Sequence, residues 1–101
     1  MLDNISSVAS SLGAKQVCAA ACAVADRHSL VSHLVSDQQA VAACWRFLDD
    51  HRVLVEPACG AALAAVYDPV PALAGRKTIL VVVCGGMGVS VAQLTRLTED
   101  G

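Results

Sequence analysis

Thr78-Ile79-Leu80-Val81-Val82-Val83-Cys84-Gly85-Gly86-Met87-Gly88 decides how this chain is read. Its first six residues carry no charge and five of them are β-branched, the pattern of a central parallel strand buried on both faces. The glycines then turn the chain, and Ser90 stands where it would cap a last helix over residues 91–97. The uncharged stretch from Thr78 to Thr95 reaches the lower limit for a membrane span. Gly85, Gly86, Gly88, Ser90 and Gln93 break it into a strand-like run and a polar-faced segment, so no span is expected.

Working back from this run, the chain alternates helical and extended patterns. Residues 6–12 read as a short apolar turn closed by Gly13, and residues 15–25 as an Ala-rich helix ending at Asp26-Arg27-His28. Residues 30–35 are rich in Val and Leu and read as a strand. Ser36 through Gln39 offers a capping box, after which Ala40, Val41, Cys44 and Leu48 fall on one helical face. Arg46, Asp49 and Asp50 lie largely off that face. Val53-Leu54-Val55 leads to Glu56-Pro57, where proline at a first helical position costs no hydrogen bond. The body of that helix, residues 58–67, has small residues all round and no charge, so it must pack on several sides. Asp68-Pro69-Val70-Pro71 stops it.

Two strands and about five helices define an α/β class. A buried parallel strand needs hydrogen-bonded neighbours, and one other clear strand is too few. The chain is therefore expected to be part of a larger sheet, or to recruit a partner that completes it. Composition points the same way. Of 101 residues, 55% are hydrophobic and 16% charged, against a usual charged share of about 25%. A mean hydropathy of +0.58 excludes disorder. A net charge of −2, with Lys15 and Lys77 the only lysines, argues against nucleic acid. Five cysteines without a CxxC pair, and an N-terminus without an apolar leader, suit a reducing cytoplasmic compartment.

Few residues announce chemistry on their own. The Val83–Ser90 junction sits where open α/β sheets bind ligands, yet it matches neither a Walker loop nor GxGxxG; a ligand contact and a ligand-free tight turn both fit it. A small nucleotide-binding module would rest on these glycines alone. Glu56 lies between apolar runs, either aimed into a cleft or capping its helix. Cys18 and Cys22 share a helical face but match no zinc spacing with His28 or His33, and read as small core thiols. Trp45 and Phe47 read as core or interface packing.

Two stretches go beyond pattern. Residues 53–67, Val-Leu-Val-Glu-Pro-Ala-Cys-Gly-Ala-Ala-Leu-Ala-Ala-Val-Tyr, followed by Val81-Val82-Val83-Cys84-Gly85-Gly86, resemble the animal L-serine dehydratases. Those are fold-type II pyridoxal-phosphate enzymes that also act on L-threonine. Ile5-Ser6-Ser7-Val8-Ala9, Leu12-Gly13 and Ser36-Asp37-Gln38 through Ala42 match in the same order.

The resemblance implies that residues 1–101 are the C-terminal part of the large catalytic domain, a partial three-layer αβα parallel sheet. It implies a lyase that eliminates the β-hydroxyl of L-serine or L-threonine, giving pyruvate or 2-oxobutanoate plus ammonia, with pyridoxal phosphate doing the hard chemistry. Cys84 would face the pyridine nitrogen as a weak hydrogen-bond partner, leaving it largely unprotonated. Gly85 would let the backbone pass close to the ring, and Glu56 would lie near the cofactor. The backbone carbonyls of Leu12 and Ala14 match positions that bind a monovalent cation, and a homodimer is the family habit.

The family's Schiff-base lysine, in a Ser-x-Lys setting, and its glycine-rich phosphate loop belong to an upstream segment with no counterpart here. Lys15 and Lys77 do not stand in that setting, so no catalytic residue is assigned and the chain alone is expected to be inactive. The stretch from Tyr67 to Lys77 is shorter than the family's, and Met87-Gly88 replaces a polar pair. The rival expectation is a non-catalytic truncated paralogue that associates with a full-length dehydratase.

Overall fold

A helical hairpin forms the centre of the molecule, and the reason lies in the residues that start and stop its two arms. The computed structural model describes residues 3–4 and 6–100, so Met1, Leu2 and Ile5 of the stretches discussed above lie outside the described residues. Helix α2 (Asp37–His51) begins at a complete capping box. The Gln39 backbone N–H donates to Ser36 Oγ at 3.1 Å, and the Ser36 N–H donates to Gln39 Oε1 at 3.0 Å. Two of the four unpaired amides at a helix start are thereby satisfied. The helix ends at Arg52, which adopts a left-handed conformation with φ 59°.

Helix α3 (Pro57–Tyr67) starts at proline and stops at Asp68, as expected. It packs along α2, and six of its eleven residues are buried: Pro57, Ala58, Cys59, Gly60, Leu63 and Ala64. The expected inner face of α2 holds, with Ala40, Val41 and Cys44 buried and Leu48 half-buried, while Arg46, Asp49 and Asp50 are exposed. At the outer seam, the Arg46 guanidinium lies 4.1 Å from the centre of the Tyr67 ring. Trp45 and Phe47 pack partly buried against the core formed around Cys44, Val55, Cys59 and Leu94.

Two further helices flank the hairpin. Helix α1 (Ala19–Arg27) is shorter than expected at its start and buries none of its residues. Helix α4 (Val91–Asp100) runs three residues beyond its expected end. It opens on a second reciprocal cap, in which the Gln93 N–H donates to Ser90 Oγ at 3.2 Å and the Ser90 N–H to Gln93 Oε1 at 2.7 Å. Its Leu94 is fully buried, and Trp45 Nε1 donates to Thr98 Oγ1 at 2.7 Å. Residues 10–12 and 71–73 form single 3-10 turns.

The strand expectations need correction. Residues 30–35 and 78–83 adopt no regular secondary structure, and among the described residues no strand ladder forms. One backbone bond ties the run before α3 to the glycine turn, from the Glu56 N–H to the Gly85 carbonyl at 3.1 Å. The physical reason is the one already read from the sequence: a ladder needs neighbouring strands, and these residues do not supply them. The runs stay exposed instead, Leu34 and Leu80 at 90% and Val82 at 68%. The accessible surface is 7373 Å², against about 5,400 Å² for a compact protein of this mass. Cysteines Cys18 and Cys22, expected to be core thiols, are likewise exposed. No helix among the described residues is long and apolar enough to cross a membrane.

Candidate functional site

Three of the five residues singled out from the sequence come together where α3 begins. Glu56 is the residue before the first turn of α3, and its backbone N–H holds the Gly85 carbonyl. It occupies the N-cap position, but its carboxylate makes no capping hydrogen bond. The carboxylate lies against Gly88 instead, where a methyl group would overlap Glu56 Oε2. Gly86 is packed as tightly against the Leu54 carbonyl. Gly85 differs from both: with φ +144° it holds a backbone conformation that side chains avoid, and the space beside it is open.

The thiol of Cys59 fastens this turn. Cys59 is fully buried on the first turn of α3. Its Sγ accepts the backbone N–H of Cys84 at 3.2 Å and of Gly85 at 3.3 Å, and its S–H donates to the Gly85 carbonyl at 3.2 Å. The Cys84 side chain is exposed. Its pKa is raised above the ordinary thiol value, first by the Cys59 thiol beside it and in part by the negative charge of Glu56, so it stays a neutral thiol at physiological pH. Burial pushes the neighbouring core thiol, Cys44, up to about 11. The sequence gives no sign of this role for Cys59, because a thiol bonding to amides 25 and 26 residues on leaves no local pattern.

Leu12 and Ala14 stand elsewhere, beside the 3-10 turn that packs on α3. They line a cavity of about 530 Å³ together with Gly13, His33 and Asp37. The Leu12 carbonyl accepts the Ala14 N–H at 3.0 Å, which leaves one lone pair of that oxygen for another partner. Among the described residues, no group of three or more His, Cys, Asp or Glu side chains is placed to hold a metal ion. The oxygen donors bordering this cavity are backbone carbonyls together with the side chains of Asn4, Ser6, Ser7 and Asp37.

The profile of the family described as pyridoxal-phosphate dependent enzyme matches residues 2–85. The chain belongs to this family. Relatives named L-serine dehydratase/L-threonine deaminase are 48% identical in Homo sapiens and 50% in Bos taurus. Each match covers 98% of this chain and 33% of the relative. The crystal structure of a fungal L-serine ammonia-lyase from Rhizomucor miehei superimposes with a TM-score of 0.86 at 32% identity, over 98% of this chain and 33% of that one. The chain thus spans about a third of the length of the curated relatives it matches, and follows the backbone path of that third of the fungal enzyme.

The family's cofactor can be tested against the turn itself. An exposed neutral thiol at Cys84, open space beside Gly85 and a carboxylate at Glu56 suit one edge of a planar heteroaromatic ring. They supply no covalent attachment. Lys15 follows Gly13-Ala14 and Lys77 follows Gly75-Arg76, and both are exposed and outside this turn. The residues fit a wall of a pyridoxal-phosphate site rather than the whole of one.

Proposed function

We propose that this chain is the C-terminal part of the catalytic domain of an L-serine/L-threonine ammonia-lyase, and that it supplies the wall of the site facing the cofactor's pyridine nitrogen. The single observation that carries the proposal is the turn at Cys84-Gly85, built onto the start of α3, in a chain whose full length is similar to enzymes named for this reaction. When bound, pyridoxal phosphate supplies the electron sink for loss of the α-proton and the β-hydroxyl.

The chain's own residues set the surroundings of that sink. Cys84, a neutral thiol, hydrogen-bonds weakly to the pyridine nitrogen without giving it a proton, which favours elimination over longer-lived carbanion chemistry. Gly85 keeps the ring's approach clear of side-chain atoms. Glu56 places a negative charge at the same edge and disfavours ionisation of Cys84. The carbonyls of Leu12 and Ala14 would contribute to a monovalent-cation site that steadies the start of α3 through the turn packed on it. The substrates are L-serine and L-threonine, the assembly a homodimer, and the compartment the cytoplasm. The exposed apolar runs at residues 30–34 and 79–83 are then the surface that the rest of the domain covers.

Activity resides in the complete domain, not in these 101 residues. Two measurements test this. The natural polypeptide, isolated from its source, should have an intact mass several times 10.4 kDa and release pyruvate from L-serine. The isolated 101-residue chain should release none; pyruvate formation by it would refute the division of labour. A natural polypeptide of 10.4 kDa that co-purifies with a full-length dehydratase would replace the proposal by the reading of a non-catalytic partner.

A further inference from the structure

We propose that Cys59 is a positioning residue for Cys84, fixing through two peptide groups where the Cys84 sulfur stands against the cofactor. The inference rests on the reading of Cys84 as the pyridine-facing residue. Its basis is the bonding around one sulfur. Two consecutive amides, those of Cys84 and Gly85, converge on Cys59 Sγ, and its S–H returns to the Gly85 carbonyl. Both polar groups of Gly85 are therefore bound to one side chain. The carbonyl is held a second time by the Glu56 N–H at 3.1 Å.

A glycine with φ +144° and open space beside it has no steric reason to stay where it is. The tether supplies that reason, and the tether is rigid. Cys59 is fully buried and stands on the first turn of α3, one residue before Gly60, whose backbone is pressed against α2. The fold thus carries the position of its helical hairpin into a solvent-facing turn through one thiol. Sulfur suits the task because the C–S bond is longer than C–O and reaches amides that a serine hydroxyl would meet at greater distance. Serine should therefore substitute in part, and alanine not at all.

The test uses the complete pyridoxal-phosphate enzyme and reads the absorption and fluorescence spectrum of the bound cofactor, with kcat and KM alongside. Cys84→Ala should shift the spectrum. Cys59→Ala should shift it in the same direction and lower kcat about fivefold, the effect of one ordinary hydrogen bond, with a smaller change in KM. Cys59→Ser should fall between Cys59→Ala and the parent. The double variant should match Cys84→Ala alone, because Cys59 acts through Cys84.

A shifted Cys84→Ala spectrum beside an unshifted Cys59→Ala one overturns this inference and leaves the cofactor reading standing. An unshifted Cys84→Ala spectrum overturns the cofactor reading, and this inference with it. Additive shifts in the double variant also overturn it, since Cys59 would then act independently. If Cys59→Ala yields no folded enzyme, Cys59→Ser is read in its place, and a spectrum identical to the parent's overturns the proposal.

Discussion

Gly60 of α3 lies directly against the backbone carbonyl of Ala40 on α2, with the Cys44 sulfur beside it. A side chain at this position has nowhere to go, because the nearest atom is a backbone carbonyl of the first turn of α2 and cannot swing aside. Gly60→Ala gains helix propensity of about 1 kcal/mol, but the overpacking it forces outweighs that gain. A net loss of about 2 kcal/mol is expected, read as a lower melting temperature of the complete protein. An unchanged or higher melting temperature would show that the two helices can part at no cost.

The opposite expectation attaches to the end of α2. Arg52 adopts φ 59°, a conformation that costs a residue with a side chain about 1 kcal/mol and glycine almost nothing. Its backbone N–H still closes the helix on the Leu48 carbonyl at 2.8 Å, a bond that glycine keeps. Arg52→Gly should therefore stabilise the protein by about 0.5–1 kcal/mol in a urea titration. A destabilised variant would mean that the arginine side chain contributes more than its backbone costs.

At Gly85 the strain argument concerns function more than stability. A methyl group meets no atom there, so the penalty of Gly85→Ala is conformational, about 1–3 kcal/mol at φ +144°. The turn should relax by rotating away from the Cys59 tether. Cofactor affinity in the complete enzyme should fall about tenfold or more. Equilibrium dialysis of bound pyridoxal phosphate checks this, and retention at the parental level would remove Gly85 from the site.

Cys44 makes the stability of the hairpin sensitive to alkali. It is fully buried, and burial raises its pKa from 9.0 to about 11. A thiol whose folded pKa lies above its unfolded one keeps its proton better in the native state. Its contribution is full below pH 9 and is lost as pH climbs towards 11, by about 3 kcal/mol in all. Unfolding measured from pH 8 to 11 should show this decline, and Cys44→Ala should flatten it. An equally steep decline in the variant would assign it to other groups.

What could be read from the sequence divides by distance along the chain. The capping boxes at Ser36–Gln39 and Ser90–Gln93, the proline start of α3 and the buried face of α2 are local, since each depends on residues within a few turns. Leu30–Val35 and Thr78–Val83 have the composition of strands, but a ladder is a property of pairs, and among the described residues neither run has a strand partner. Helix α1 starts four residues later than its alanine-rich composition suggests, because such composition sets no boundary where a cap is lacking. Within the candidate site, Glu56 and the Val83–Ser90 junction stand out by pattern alone, but the cofactor-facing roles of Cys84, Gly85 and Glu56 are legible only through a matching stretch. That the three meet depends on the Glu56 N–H bond to Gly85 and on Cys59, whose bonds reach across 25 and 26 residues.

The hairpin and the exposed run at residues 79–83 also belong to different timescales. The α2–α3 contact joins helices separated by a short connection, a local pairing that forms quickly. In the complete domain proposed above, pairing of the apolar run waits for segments far away in the chain, and loop-closure entropy delays it. Each newly made molecule therefore passes through an interval in which its helices are folded while Leu80 and Val82 remain bare to any passing strand edge. The yield of the folded domain is then set by the length of that interval relative to collision with another copy, so expression at lower temperature and lower concentration favours the folded product.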